Sequence, residues 1–233
     1  VLAEREGFVV VYPTGFERHW NDCRAAATYS ANLNKIDDVG FVRRLIAEME
    51  TRYDIDPEQV FVAGMSNGGH MVYRLAYEAP DLLAGAAVLM ANLPVENNSE
   101  CKPAGEPVPI VLLTGTEDAI NPYAGGDVVV FGENRGAVQS ARASADYWAK
   151  LAGYAGAGER VNRPKTDVED GTAIEILEWA ETDKMPVTLI SIVGGGHTFP
   201  NPVYSAPRIL GATSHEADAA ELVWAFFERI VQR

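Results

Sequence analysis

The sequence predicts an α/β fold, a mostly parallel sheet with helices on both faces. Three observations point there. Short runs rich in β-branched residues alternate along the chain with amphipathic stretches, the pattern of repeated strand–helix units. Apolar residues make up 47% of a 233-residue chain, enough for a substantial core and for a single domain spanning 1–233. The longest connections fall at 13–36, 91–107, 117–135 and 194–215, and three of these four follow the carboxyl end of an expected strand. Open α/β sheets bind their ligands at that edge.

The elements follow in order. "FVVVY" (8–12) reads as a buried strand. In "DDVGFVRRLIAEMETRY" (37–53), Val42, Leu45, Ile46 and Met49 share one helical face, and Asp37 or Asp38 can cap the start. "QVFVAG" (59–64) is the next strand, and "NGGHMVYRLAYEAP" (67–80) a helix stopped by Pro80. "LAGAAVLM" (83–90) and "VPIVLLTG" (108–115) are strands. A helix near 136–151 turns Val138, Ala141, Ala145 and Trp148 to one side. "AIEILEWA" (173–180) and "VTLISIVGG" (187–195) are strands, and a last helix over about 216–231 buries Leu222, Val223, Phe226, Phe227 and Ile230.

Charge and composition narrow the function. A formal charge of −14 repels nucleic acid and anionic membrane surfaces, so neither is an expected partner. No run of about 18 apolar residues could span a bilayer, and no signal-peptide pattern opens the chain. No metal-ligand spacing appears, so no metal or cofactor is expected. The two cysteines, Cys23 and Cys101, fit no zinc or redox motif. Their spacing leaves open two buried thiols or one disulfide.

The chemistry centres on Gly64-Met65-Ser66-Asn67-Gly68, between an expected strand and an expected helix. In that setting G-x-S-x-G is a nucleophile elbow, whereas elsewhere it is an ordinary turn. Gly64 and Gly68 would let neighbouring backbone pass without Cβ clashes. The helix N-terminus favours developing negative charge, and the Asn67 N–H can donate to an oxyanion. A serine nucleophile needs a base, and the base an orienting acid. Of the four histidines, His70 points back along the serine's helix and His215 resembles a helix start signal. His19 lies in an early loop beside Trp20, while His197 follows "GGG" at a strand's carboxyl end. His197 is the expected base, with His19 second. Glu117 and Asp118 both lie just past another strand end, and either could be the acid. The order Ser66, acid, His197 is that of the α/β-hydrolases.

Several segments together resemble the polyhydroxybutyrate depolymerase and feruloyl esterase group of α/β-hydrolase esterases: "WNDCR" (20–24), "DDVGFVRRLI" (37–46), "GMSNGGHMVYRLA" (64–76), "LLTGTEDAINPYAGG" (112–126), "GGGHTFP" (194–200) and "ELVWAFF" (221–227). The resemblance implies Ser66 as nucleophile, Asp118 rather than Glu117 as acid, and His197 as base. The long loops are rich in aromatics, Phe16, Trp20, Tyr123, Phe199 and Tyr204, of which Trp20, Tyr123 and Phe199 are the candidates for substrate binding; Phe199 stands where the group often has tryptophan. The resemblance favours a Cys23–Cys101 disulfide, and with it a secreted or periplasmic protein. The implied substrates are hydroxyalkanoate polyesters, feruloyl-type aryl esters or small acyl esters, small or polymeric. A peptidase or acyltransferase on the same fold, or a non-catalytic binding protein, are the alternatives.

One family feature has no match in the sequence: a strand ending in a His-Gly loop, which supplies a second oxyanion N–H. The chain therefore reads as an N-terminally incomplete version of the fold. The absent strand would lie between those at 8–12 and 59–64. Unpaired strand edges are costly to bury, so the expectation is that these two strands pair directly, or that a second copy of the chain fills the slot. A substitute second donor is expected from the 13–17 loop.

Overall fold

The structure, a computed structural model, describes residues 2–163 and 168–232. In chain order the strands are β1 (Phe61–Met65), β2 (Gly85–Leu89), β3 (Ile110–Gly115), β4 (Gly126–Val130), β5 (Glu133–Val138), β6 (Glu159–Val161), β7 (Ala173–Trp179) and β8 (Val187–Val193). The helices are α1 (Leu2–Glu6), α2 (Ser30–Leu33), α3 (Asp38–Tyr53), α4 (Asn67–Glu78), α5 (Ala141–Leu151) and α6 (Ala219–Val231). Six strands form one sheet in the order β1-β2-β3-β8-β7-β6. The first four run parallel, and β7 and β6 add antiparallel at the far edge. The α/β-hydrolase fold class expected from the sequence is what the chain adopts.

Alternation along the central strands explains why both faces are covered. Val88, Leu112 and Leu189 turn to one side, where they meet Tyr73 and Leu75 of α4 and Trp148 of α5. Ala87, Val111, Leu113, Ile190 and Ile192 turn to the other and pack on Phe226 and Phe227 of α6. A strand apolar on both faces is the signature of the interior of a parallel sheet. Three helices carry side-chain caps: Asp37 accepts from Gly40 N–H before α3, Ser140 from Ala143 N–H before α5, and Asp218 from Ala220 N–H before α6. Each satisfies a donor that the helix itself leaves orphaned. No helix among the described residues is long and apolar enough to cross a membrane.

Three expectations are corrected. Residues 8–12 do not form a strand, and Val9, Val10, Val11 and Tyr12 stand 49%, 43%, 40% and 89% exposed. The direct pairing of 8–12 with β1 therefore does not occur, and β1 is an outer strand of the sheet. A β-branched run becomes a strand only where a neighbour accepts its backbone hydrogen bonds; here the segment is anchored at one end, with Phe8 stacked on Trp224 at 4.6 Å. The 117–135 connection is not all loop, because it holds β4 and the start of β5. Helix α5 begins at Ala141, since 133–138 forms the second strand of that hairpin. Charged residues and a left-handed Gly136 (φ 80°) hide the strand period in "ENRGAV".

Candidate active site

Strand β1 delivers Ser66 through a sharp turn into α4. Ser66 has φ 55° and ψ −119°, a conformation that non-glycine residues seldom adopt. It is held there from both sides: its N–H donates to Leu89 O, and its carbonyl accepts from His70 N–H, each at 2.9 Å. Gly64 is sterically required, for a Cβ there would lie 2.3 Å from Gly68 O. Gly68 itself has open space where a Cβ would go, contrary to its expected role. The second tight position is Gly69, whose Cβ would sit 2.9 Å from that of Ala91.

The loops that carry Asp118 and His197 fold as one unit. A Cβ on Gly115, at the end of β3, would lie 2.3 Å from Gly196 O, so these backbones touch. Glu117 N–H donates to Gly195 O at 2.9 Å, and Gly194 N–H to Thr116 Oγ1 at 2.8 Å. Adjacent strands, β3 and β8, thus present Asp118 and His197 side by side. Asp118 Oδ2 lies 2.7 Å from His197 Nδ1, with the two side chains 2% and 7% exposed. Asp118 Oδ1 accepts from the N–H groups of Ile120 and Asn121, both at 2.8 Å. A carboxylate oxygen accepts, so Nδ1 is the donor of this pair, and in the neutral ring that leaves the lone pair on Nε2. Glu117 points to solvent, which separates the two carboxylates that the sequence left as candidates.

Met65, next to Ser66, and His197 line one cavity of about 290 Å³. Phe199, Tyr204, Pro207 and Leu210 make most of its remaining wall, which is largely apolar. No hydrogen bond joins the Ser66 hydroxyl to His197 among the described residues. Such contacts are often long in enzymes without substrate.

Asn67 does more than its position suggested. Its backbone N–H is at the first helical residue, where no intrahelical acceptor exists. Its side chain clamps the 20–24 loop: Oδ1 accepts from Trp20 N–H at 2.8 Å, and Nδ2 donates to Trp20 O at 3.0 Å and Asp22 Oδ2 at 2.7 Å. Asp22 is buried against Arg24, with Oδ2 2.6 Å from Nη2. Burial pushes the Asp22 carboxyl up, yet the Arg24 charge and hydrogen bonds outweigh it and leave the pKa lowered. Between this pair, Cys23 is disulfide-bonded to Cys101. Nothing in the spacing ties Asn67 to the Asp22–Arg24 pair, because those contacts form across a sequence separation of 45 residues or more.

The other candidates are dispersed. Trp20 is half-buried beside Phe41, its ring 6.2 Å away. Tyr123 bonds through its hydroxyl to Ser191 Oγ at 2.7 Å and packs on the core, away from the His197 cavity. Phe199 lines that cavity. His19 stacks on Tyr29 at 4.2 Å. His215 bonds to Ser205 and Asn201 O ahead of α6, whose cap is Asp218. No group of three or more His, Cys, Asp or Glu among the described residues is arranged to hold a metal ion.

The sequence pattern of the Dienelactone hydrolase family matches residues 2–158, more than half of the chain. The chain belongs to the dienelactone hydrolase family. Its relatives include esterases. It is 27% identical over 226 residues to the esterase-like protein NocK of Nocardia uniformis subsp. tsuyamanensis, covering 94% of this chain and 64% of that protein. It is 32% identical over 163 residues to feruloyl esterase B of Piromyces equi, covering 69% of this chain and 29% of the relative. A shorter match, 35% over 94 residues, links it to the poly(3-hydroxybutyrate) depolymerase of Ralstonia pickettii, covering 37% of this chain and 18% of the relative. The chain thus spans less than two thirds of the length of these proteins. An acetyl xylan esterase from Aspergillus awamori has the same fold, with a TM-score of 0.51 at 18% identity over 84% of this chain and 74% of that one.

Proposed function

We propose that this member of the dienelactone hydrolase family is a serine carboxylic-ester hydrolase working through an acyl-enzyme. The observation that carries the reading is the buried 2.7 Å contact between His197 Nδ1 and Asp118 Oδ2, at the same sheet edge as the Ser66 turn. His197 Nε2 takes the Ser66 proton as Oγ bonds to the ester carbonyl carbon. The carbonyl oxygen becomes an oxyanion, and Asn67 N–H donates to it. The carbonyl re-forms, the ester C–O bond breaks, and His197 returns the proton to the leaving alcohol. Water, deprotonated by His197, then attacks the acyl-enzyme and releases the acid and Ser66.

The apolar wall formed by Met65, Phe199, Tyr204, Pro207 and Leu210 supports esters with one aryl ring or a short acyl chain on that side. Feruloyl-type, hydroxyalkanoate and small acyl esters all fit this description. The disulfide supports an oxidising compartment, outside the cell or in a periplasm.

The test is kinetic. With p-nitrophenyl acetate, Ser66→Ala and His197→Ala should each lower kcat by on the order of 10⁴–10⁶-fold, since triad members act as a unit. A fluorophosphonate should label the wild type at Ser66. Hydrolysis at the wild-type rate by Ser66→Ala would remove the proposal, and failure of the probe to label would favour a binding protein.

A further inference from the structure

A buried chain of polar side chains joins the helix that carries Ser66 to the loop that carries Asp118, and ester hydrolysis as described gives it no part. His70, in the second turn of α4, is 1% exposed. Its Nε2 lies 3.1 Å from Nδ2 of Asn121, itself 4% exposed. The amide oxygen of Asn121 accepts from Asn92 N–H at 3.1 Å, just beyond β2. The Asn92 side chain returns to the same loop, donating to Pro122 O at 2.9 Å. Finally, the backbone N–H of Asn121 is one of the two that hold Asp118 Oδ1.

These contacts fix the chemistry of His70. A backbone N–H can only donate, so Asn121 must turn its oxygen to Asn92 and its NH₂ to His70. That NH₂ can only donate, so His70 Nε2 must accept. The imidazole is therefore neutral, with its proton on Nδ1. A cationic ring would set two donors against each other. The surroundings act in the same direction: burial first, then the charges of Arg24 and His197, push its pKa well below the ordinary imidazole value, and Asp22 opposes them.

We propose that His70 and Asn121 are positioning residues for the triad acid: a neutral, accepting imidazole on the nucleophile's helix orients the Asn121 amide and so fixes the loop that aims Asp118 at His197. The proposal rests on the Ser66, Asp118, His197 reading. Without the acceptor at residue 70, the Asn121 NH₂ loses its partner and the 118–122 loop loses this tie to α4, keeping those to Asn92. Asp118 then meets His197 less well. An imidazole that loses its carboxylate partner holds a proton less firmly.

Two measurements test this. In protein labelled with ¹⁵N-histidine, the His70 ring should show a protonated Nδ1 and an unprotonated Nε2 from pH 8 to pH 5. In kinetics on p-nitrophenyl acetate, His70→Leu should lower kcat by up to about 10²-fold, the scale of a small misplacement of a reacting group, with KM nearly unchanged. The acid limb of kcat/KM should move to lower pH. His70→Gln, whose amide oxygen can accept, should recover most of kcat and the wild-type limb. If His70→Leu does not fold, Asn121→Ala should show the same fall and the same limb shift. A protonated Nε2, a wild-type limb in folded His70→Leu or Asn121→Ala, or a Gln variant as slow as the Leu variant would each overturn the proposal. An active Ser66→Ala enzyme would instead overturn the triad, while the nitrogen spectrum would still report whether the tether exists.

Discussion

The two glycines of the serine turn look equivalent in sequence, but the structure assigns them opposite constraints. At Gly64 an added methyl would lie 2.3 Å from Gly68 O, a contact with backbone that no side-chain rotation can relieve. At Gly68 the same methyl meets nothing within 4 Å, and the residue is helical. Gly64→Ala should therefore destabilise the fold or prevent it. Gly68→Ala should stabilise it by up to about 1 kcal/mol, the helix-propensity difference. Urea unfolding of both variants checks this, and a Gly64→Ala midpoint equal to wild type would contradict the turn geometry. Asn67 illustrates the limit of motif reading at this scale. The motif assigns a role to its N–H, while its side chain holds the Trp20 backbone, which no local pattern announces.

At the scale of elements, the disulfide and the outer strand are the informative features. Cys23 and Cys101 close a loop of 78 residues, and the same bridge ties the 20–24 loop to the segment before β3. On the chain-entropy account, such a cross-link stabilises by about 4.5 kcal/mol, against a typical cost of about 2–5 kcal/mol when a native bridge is removed. The Cys23→Ser, Cys101→Ser double variant is expected to lose stability within that range and to loosen Trp20. Thermal unfolding with and without reductant reads the first effect, and Trp20 fluorescence the second. Two titratable thiols in the denatured, unreduced wild type would remove the prediction. The 8–12 run shows the converse. Its composition is strand-like, yet strand formation is a property of a pair, and β1 does not offer it a partner. The β4–β5 hairpin was illegible for a related reason: its pairing is stabilised by contacts such as Asn98 Nδ2 with Arg135 O and Ala137 O, donated from far along the chain.

For the whole molecule, burial of a neutral imidazole links folding to pH. The folded His70 resists protonation, whereas in the unfolded chain it titrates near 6.5. The unfolded state therefore binds the extra proton first. The stability contributed by neutral His70 is complete above about pH 6.5 and is lost progressively as the pH falls from there toward the lowered folded value. Asp22 adds a second loss, which begins only below its ordinary 3.8. Wild-type urea midpoints should thus fall between pH 7.5 and 5 more steeply than those of His70→Gln. Parallel slopes would show that His70 is not the group responsible.

The sequence by itself determined the fold class, most of the helices and central strands, and the identities of Ser66 and His197 as candidates. These are encoded locally: apolar period, capping residues, and glycines around a serine at a strand–helix junction. The tertiary structure decided what depends on distant partners. It buried Asp118 against His197 and left Glu117 in solvent, because β3 and β8 are neighbours in the sheet. It brought Cys23 to Cys101, and it buried His70 of α4 against Asn121 of the 118–122 loop. It denied 8–12 a strand, since hydrogen bonds between strands require a neighbour that no single segment can specify.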